Sequence, residues 1–331
     1  MIGHSRGWRT AALALTAFAW LGVAAAQAQT KITVIVFQGL QNLPIFAAQE
    51  NGLFRKRGIE VDLKMTPNSI ELRDGLAQGR YQLAHSAVDN AVALTEMAQV
   101  DVVVLLGGDN SFNNLYVQPE IQSYADLRGK VLAVDALDTA YAFQLYEMLK
   151  RNGVPPGQYT PRAVGGTPLR LKAMQDDKAN AAAAMLNPPF SIVAEKSGLK
   201  RMANAAEALG AYQGSSAFAL RTWAPGNAET IVHYIQGYVD GLRWALDPAN
   251  REAATGYLRD KLNLSPEIAA AAYAVAADPR IGMAKDAKID MEGFRNVLKL
   301  RAELHGDWGG RPPAPEKYLD LTYYDKAVAN M

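Results

Sequence analysis

The sequence predicts an α/β fold in two lobes, and three observations carry that prediction. Between residues 31 and 110, β-rich apolar runs alternate with helix-like segments, the pattern of a parallel sheet covered by helices. The alternation restarts after a glycine- and asparagine-rich stretch, GGDNSFNN at 107–114, which suits a crossing between lobes. The chain has 331 residues, 49% of them hydrophobic, a length that divides into two domains with a core for each.

The first series begins with KITVIVF at 31–37, a continuous run of the kind a strand buried on both faces requires. Gln38 and Gly39 break it. Pro44 suits the first turn of a helix through Ala47, Ala48 and Glu50, and Gly52 is placed as the C′ residue that ends it. Ile59, Val61 and Leu63 alternate with Glu60, Asp62 and Lys64 as a second strand. Ser69 stands where it can cap the next helix, with Leu72, Leu76 and Ala77 on the inner face. YQLAH at 81–85 reads as strand three, 90–99 as a helix and VDVVVLL at 100–106 as strand four.

The second series has strands at 131–134, 162–164 and 180–186, the last despite alanines that suit a helix better. Between them, Asp138 can cap a helix to Asn152 and Gly153 with Tyr141, Leu145, Met148 and Leu149 inside, and Pro168 opens a helix through Leu171 and Met174. NPPF at 187–190 opens another helix, which ends at Gly198. SAFAL at 216–220 reads as a strand returning to the first lobe. Helices follow at 228–246, 250–261, 265–277 and 290–304, and Tyr323 and Tyr324 are expected to pack on lobe one. The expected division is 29–113 with 218–331 for lobe one and 114–217 for lobe two.

Residues 1–28 stand apart. Arg6 and Arg9, a short apolar run at 11–26 and the small-x-small triplet Ala26, Gln27, Ala28 make a secretory signal peptide, with cleavage expected after Ala28. The run is too short and too alanine-rich for a membrane anchor, which needs about 20 apolar residues. No cysteine follows it to take a lipid, so the mature chain is expected free in the periplasm, with no membrane insertion after cleavage. The absence of cysteine throughout excludes a disulfide scaffold and thiolate metal ligation. Removing the leader takes away two arginines and no acid, leaving 32 basic against 33 acidic residues. That balance gives no footprint for nucleic acid or a charged membrane surface.

Pro44, Ala48, Gly52, Phe54, Gly58 and Val61, in that spacing, resemble the signature of the sulfonate-, taurine- and nitrate-binding periplasmic solute-binding proteins of ABC transporters, whose domain is like that of the thiamin-pyrimidine synthases. YADLRGK at 124–130, leading into the strand at 131–134, resembles the family's second marker, and NPPF with Gly198 its third. The resemblance covers 31–331. It implies a type II periplasmic binding protein: two α/β lobes joined by two crossings, the helical C-terminal part packed on lobe one, closing over a small organic solute such as a sulfonate, carboxylate, aromatic acid or pyrimidine. The implied partners are an ABC permease and its ATPase, and a monomer with no cofactor is expected. An enzyme related to thiamin-pyrimidine synthesis is the alternative, but that relative carries a cysteine-rich iron site and this chain has no cysteine. A binder feeding a sensor is a further alternative.

In open parallel sheets, ligands sit beyond the carboxyl ends of the strands. That rule, and the resemblance, select four loops. Gln38, Gly39 and Asn42 follow strand one, with the two amides able to donate to ligand oxygens or to their own loop. His85, Ser86 and Asn90 follow strand three, where a helix start favours an anion. A lone histidine there is more often structural. Asp135, Asp138, Thr139 and Tyr141 follow the strand at 131–134, with Tyr141 placed to stack on a planar ligand or to fill the lobe core. Asn187 and Phe190 complete the set. The two aspartates depart from the small, uncharged residues of sulfonate-binding relatives and would repel a simple anion. No metal-binding or catalytic pattern appears: no His-x-x-x-His, no Gly-x-Ser-x-Gly and no phosphate loop.

Overall fold

The computed structural model describes residues 1–3, 29–329 and 331; the expected leader and its cleavage point at Ala28 lie outside the described residues. The first series runs β1 (Thr30–Phe37), α1 (Leu43–Glu50), α2 (Leu53–Lys56), β2 (Ile59–Thr66), α3 (Ser69–Ala77), β3 (Leu83–Ala87), α4 (Asp89–Glu96) and β4 (Val102–Leu106). The second runs β5 (Asn114–Val117), β6 (Val131–Val134), α5 (Ala140–Arg151), β7 (Thr160–Ala163), α6 (Thr167–Asp176), β8 (Ala183–Leu186), α7 (Phe190–Lys196), β9 (Lys200–Asn204) and α8 (Ala205–Leu209). The chain then enters β10 (Ser215–Leu220) and continues through α9 (Ala228–Leu246), α10 (Arg251–Leu262), α11 (Pro266–Ala276), α12 (Met291–Leu304) and α13 (Thr322–Val328).

Two five-stranded sheets result, ordered β2-β1-β3-β10-β4 and β7-β6-β8-β5-β9. Each is parallel except for the strand beside a crossing. β10 runs antiparallel between β3 and β4, and β5 antiparallel between β8 and β9. The return strand therefore completes the sheet that the first series began.

The apolar run in β1 is continuous because both faces are covered. Ile32, Val34 and Val36 meet Ile231, Ile235 and Val239 of α9. Ile35 faces the other way, toward Leu72 and Leu76 of α3 and Phe294 of α12. Helix α9 lies close on α1 and α2 because two of its positions are glycine. A Cβ at Gly241 would stand 2.3 Å from the Pro44 carbonyl oxygen, and one at Gly237 would stand 2.4 Å from the Phe54 ring. The same double coverage explains the alanines of β8. Ala183 and Met185 pack under Leu145 and Met148 of α5. Ala184 and Leu186 pack under Leu171 and Met174 of α6. The small side chains let helices approach both faces, and that packing overrides helix propensity.

Pro44 occupies the first turn of α1, and Gly52, at φ 64°, is the left-handed residue that ends it. Two expected caps are corrected. Asn68, not Ser69, caps α3: its backbone is extended and its Oδ1 accepts from the Glu71 N–H at 2.8 Å. Ser69 is already helical, which leaves its N–H free for the opposite lobe. Thr139, not Asp138, has the extended backbone that precedes α5, and Asp138 instead meets Arg73 at 3.3 Å. Tyr324 packs in the first core and donates to the Asp286 carbonyl at 2.9 Å. No helix among the described residues is long and apolar enough to cross a membrane.

Candidate functional site

A narrow cavity, partly open to solvent, lies between the two lobes beyond the carboxyl ends of the strands. β1 delivers Gln38 and Gln41 to it, β3 delivers Ser86 and Asn90, and β6 delivers Asp135. Thr139 and Tyr141 reach it from the start of α5, and Asn187 from the end of β8. The sequence rule thus brings Gln38, Ser86, Asn90, Asp135, Thr139, Tyr141 and Asn187 together. Asn90 Nδ2 donates to Ser86 Oγ at 3.2 Å, and Thr139 Oγ1 donates to the Ala136 carbonyl at 3.1 Å.

Five expected residues stand elsewhere. His85 and Ser86 are adjacent in β3, and strand alternation sends them to opposite faces. His85 therefore points into the core, stacked on Tyr238 at 4.8 Å between ring centroids and edge-on to Tyr234 at 5.7 Å. Asn42 is fully buried and closes its own loop through Nδ2 to the Phe37 carbonyl at 2.6 Å. Gly39 serves that loop with its carbonyl, which accepts from the Asn42 N–H at 3.3 Å. Asp138 is engaged with Arg73. Phe190 packs on the lobe-two core beside Leu171 and Leu186.

Burial pushes the His85 pKa down to about 3, since Nε2 has no hydrogen-bond partner and charging it there is costly. A group whose folded pKa is depressed leaves the unfolded chain binding more protons. Its contribution to stability is therefore intact above pH 6.5 and lost as pH falls from there toward 3. A His85→Phe variant is expected to lose less stability on acidification, with a slope shallower by up to about 1.4 kcal/mol per pH unit between pH 6 and 4. Urea unfolding of both proteins across that interval checks this, and equal slopes would contradict the buried, neutral placement.

The cavity also holds residues that sequence reasoning missed. Arg170, 2% exposed, extends from α6 and donates to the Gly165 carbonyl at 2.8 Å, the Met185 carbonyl at 3.1 Å and Thr167 Oγ1 at 3.0 Å. Thr167 Oγ1 in turn donates to Asn187 Oδ1 at 2.8 Å. The rule that selected the other loops also selects the one between β7 and α6, so the signal was present. Asp109, in the first crossing, accepts from the Ser111 N–H at 2.6 Å and the Ser215 N–H at 3.3 Å, and from the Ser215 hydroxyl. Burial raises the pKa of both Asp109 and Asp135; hydrogen bonds from Ser215 and Ser111 oppose this at Asp109, and Arg170 opposes it at Asp135.

The two walls touch. The Ser69 N–H donates to Asp135 Oδ2 at 3.2 Å, Gly166 N–H to the Pro67 carbonyl at 2.8 Å and Leu40 N–H to the Pro188 carbonyl at 3.2 Å. Arg301 of α12, fully buried, holds both oxygens of Asp89 at 2.8 and 2.9 Å and reaches the Asp138 carbonyl at 3.0 Å. The lobes are closed on the cavity. Four helix starts meet there, at Ser69, Asn90, Thr139 and Thr167. The first N–H groups of a helix have no intrahelical partner and favour an acceptor or anion, and at Ser69 that acceptor is already Asp135. Among the described residues, no group of three His, Asp or Glu is placed to hold a metal ion.

The NMT1/THI5-like family model matches residues 40–251, most of both sheets. The chain belongs to the NMT1/THI5-like family. Among curated proteins, this family member is 28% identical over 155 residues to the taurine-binding periplasmic protein of Escherichia coli K12. That alignment covers 46% of each chain, about half the length of the relative. Two solved structures share the fold over nearly its whole length. The periplasmic nitrate-binding protein of Synechocystis PCC 6803 superposes with a TM-score of 0.76 at 12% identity, covering 92% of this chain and 89% of that one. The alkanesulfonate-binding protein of Xanthomonas axonopodis pv. citri, bound to MOPS, gives 0.70 at 17% identity, covering 90% and 100%. The NMT1/THI5-like chain thus has the periplasmic binding protein fold, with its cavity between two α/β lobes.

Proposed function

We propose that this protein is the periplasmic solute-binding component of an ABC importer, exported by residues 1–28 and acting as a monomer on a permease and its ATPase. Lobe one comprises 29–113 and 215–331, and lobe two 114–214; the expected boundary at 217 is moved because β10 (Ser215–Leu220) lies between β3 and β4 in the first sheet. The observation that carries this reading is the interlobe cavity, walled from both lobes by helix starts and polar side chains. The family membership and the periplasmic binding proteins named above support it. The solute is a small organic molecule: a sulfonate, a carboxylate, an aromatic acid or a pyrimidine. Its role is recognition, not turnover. Groups from both lobes contact it only when the lobes close, so binding shifts an open–closed equilibrium toward closed.

A ligand that binds only the folded protein stabilises it by mass action, about 2.7 kcal/mol at a hundredfold excess over Kd. Native mass spectrometry of the purified protein, followed by a thermal-shift screen across those four classes, is expected to find a solute that raises Tm and binds one to one. Catalytic conversion of that solute, or no stabilisation by any member, would contradict the reading.

A further inference from the structure

The interlobe cavity has a neighbour. A second cavity, the roomier of the two, is lined by Tyr116, Ile192 and Asn204 of lobe two and by Val275 and Ile281 of lobe one. Among the described residues, Phe112 alone lines both. It belongs to the first crossing and is 6% exposed, so its side chain is the wall between the two spaces.

The chain holds that wall against its own backbone preference. Ser111 and Phe112 both lie in the left-handed region, at φ 80° and 52°, which is unfavourable for any residue with a side chain and most of all for a bulky one. Such a conformation persists only where the surroundings fix it. The Ser111 N–H donates to Asp109 Oδ1 at 2.6 Å, and the Phe112 N–H to Asn110 Oδ1 at 3.2 Å. Asn114 Nδ2 donates to the Phe112 carbonyl at 3.3 Å. Gln144 of α5, fully buried, ties both flanking residues: its Nε2 donates to Ser111 Oγ at 3.2 Å, and its Oε1 accepts from Asn113 Nδ2 at 2.7 Å. The second crossing presses on the same turn, where a Cβ at Gly214 would stand 2.1 Å from the Ser111 nitrogen.

We propose that Phe112 sets the length of solute the site accepts: its ring ends the interlobe cavity, and with the ring removed the tail of a longer solute enters the second cavity. This inference rests on the solute-binding reading above and adds a specificity-determining residue to it. Charge sets the orientation. Arg170 acts on Asp135, whereas the groups that act on Asp109, in the crossing beside Phe112, are the neutral Ser111 and Ser215. An acidic head is thus drawn away from the crossing, which turns the rest of the molecule toward Phe112.

The test uses three series of probes that lengthen by one methylene at a time: straight-chain alkanesulfonates, straight-chain carboxylates and 4-alkylbenzoates. Calorimetric titration and thermal shift are applied to the mature wild-type chain, Phe112→Ala, Phe112→Leu, and Phe112→Ala combined with Val275→Phe. In wild type, affinity in the best-bound series is expected to rise about fourfold per methylene while apolar space remains, then to fall about tenfold or more within the next two. Phe112→Ala is expected to remove that fall, so that members beyond the wild-type limit bind about tenfold or more tightly than they do to wild type, with no such gain for the shorter ones. Phe112→Leu, the milder change, is expected to move the limit by a methylene or two. Val275→Phe fills the second cavity from its far side and is expected to restore the limit in the Phe112→Ala background, which a mere loosening of the crossing would not allow. A wild-type protein with no length limit overturns the inference, as do variants whose limit stays where it was and a double variant that still takes long tails. Binding of a solute from the wider screen but of no member of the three series overturns it likewise, and each of these results leaves the solute-binding reading intact. No binding of any probe or of any solute in the wider screen overturns both.

Discussion

Arg301→Ala is expected to cost about 3–5 kcal/mol of folding stability, the largest single effect in the molecule. The guanidinium is fully buried and Asp89 is 2% exposed, so the variant leaves a carboxylate in the interior without its cation. Asp307, at 3.1 Å, loses the same partner. Burial alone would lower the Arg301 pKa, but Asp89 and Asp307 more than offset it and raise the value above that of a free arginine, so the charge persists at any workable pH. The loss reaches beyond lobe one. Arg301 also donates to the Asp138 carbonyl and lies 5.1 Å from the centroid of the Phe143 ring, both in lobe two. Chemical denaturation measures the loss. Replacing both ends, Arg301→Met with Asp89→Asn, is expected to recover part of it, because no unpaired charge then remains. A single variant within about 1 kcal/mol of wild type would contradict the assigned pair.

Replacing Ser86 and Asn90 together with alanine is expected to lower solute affinity about five- to a hundredfold, since each polar contact is worth roughly 0.5–1.5 kcal/mol net. The two side chains share a hydrogen bond and present one polar surface at the start of α4. Some stability is lost with that bond, so affinity is compared at a temperature where both proteins are folded. Calorimetric titration with the solute found by the screen gives the ratio, and unchanged affinity would remove this loop from the site.

Much of the architecture was legible because its signals are local. The run at β1, the proline and glycine that bracket α1, and the spacing of the C-terminal helices each follow from one window of sequence. What stayed hidden depends on neighbours far along the chain. β5 has four residues, and only its position between β8 and β9 makes it a strand. β9, KRMAN, is an edge strand with little apolar character. The site divides in the same way. The carboxyl-end rule found the loops, but not which face of β3 would carry His85. Arg170 reads as one more cation on a helix until the fold buries it, and Asp109 reads as part of a flexible crossing until Ser215 arrives beside it.

Small-angle scattering of the mature protein, with and without the solute found by the screen, tests the clamp most directly. With saturating solute, the curve is expected to match the closed structure described here. Without it, the radius of gyration is expected to be larger, as the Arg73–Asp138 and Ser69–Asp135 contacts part and the lobes separate about the two crossings. Identical curves in the two conditions, at concentrations where calorimetry shows the solute bound, would contradict capture by closure.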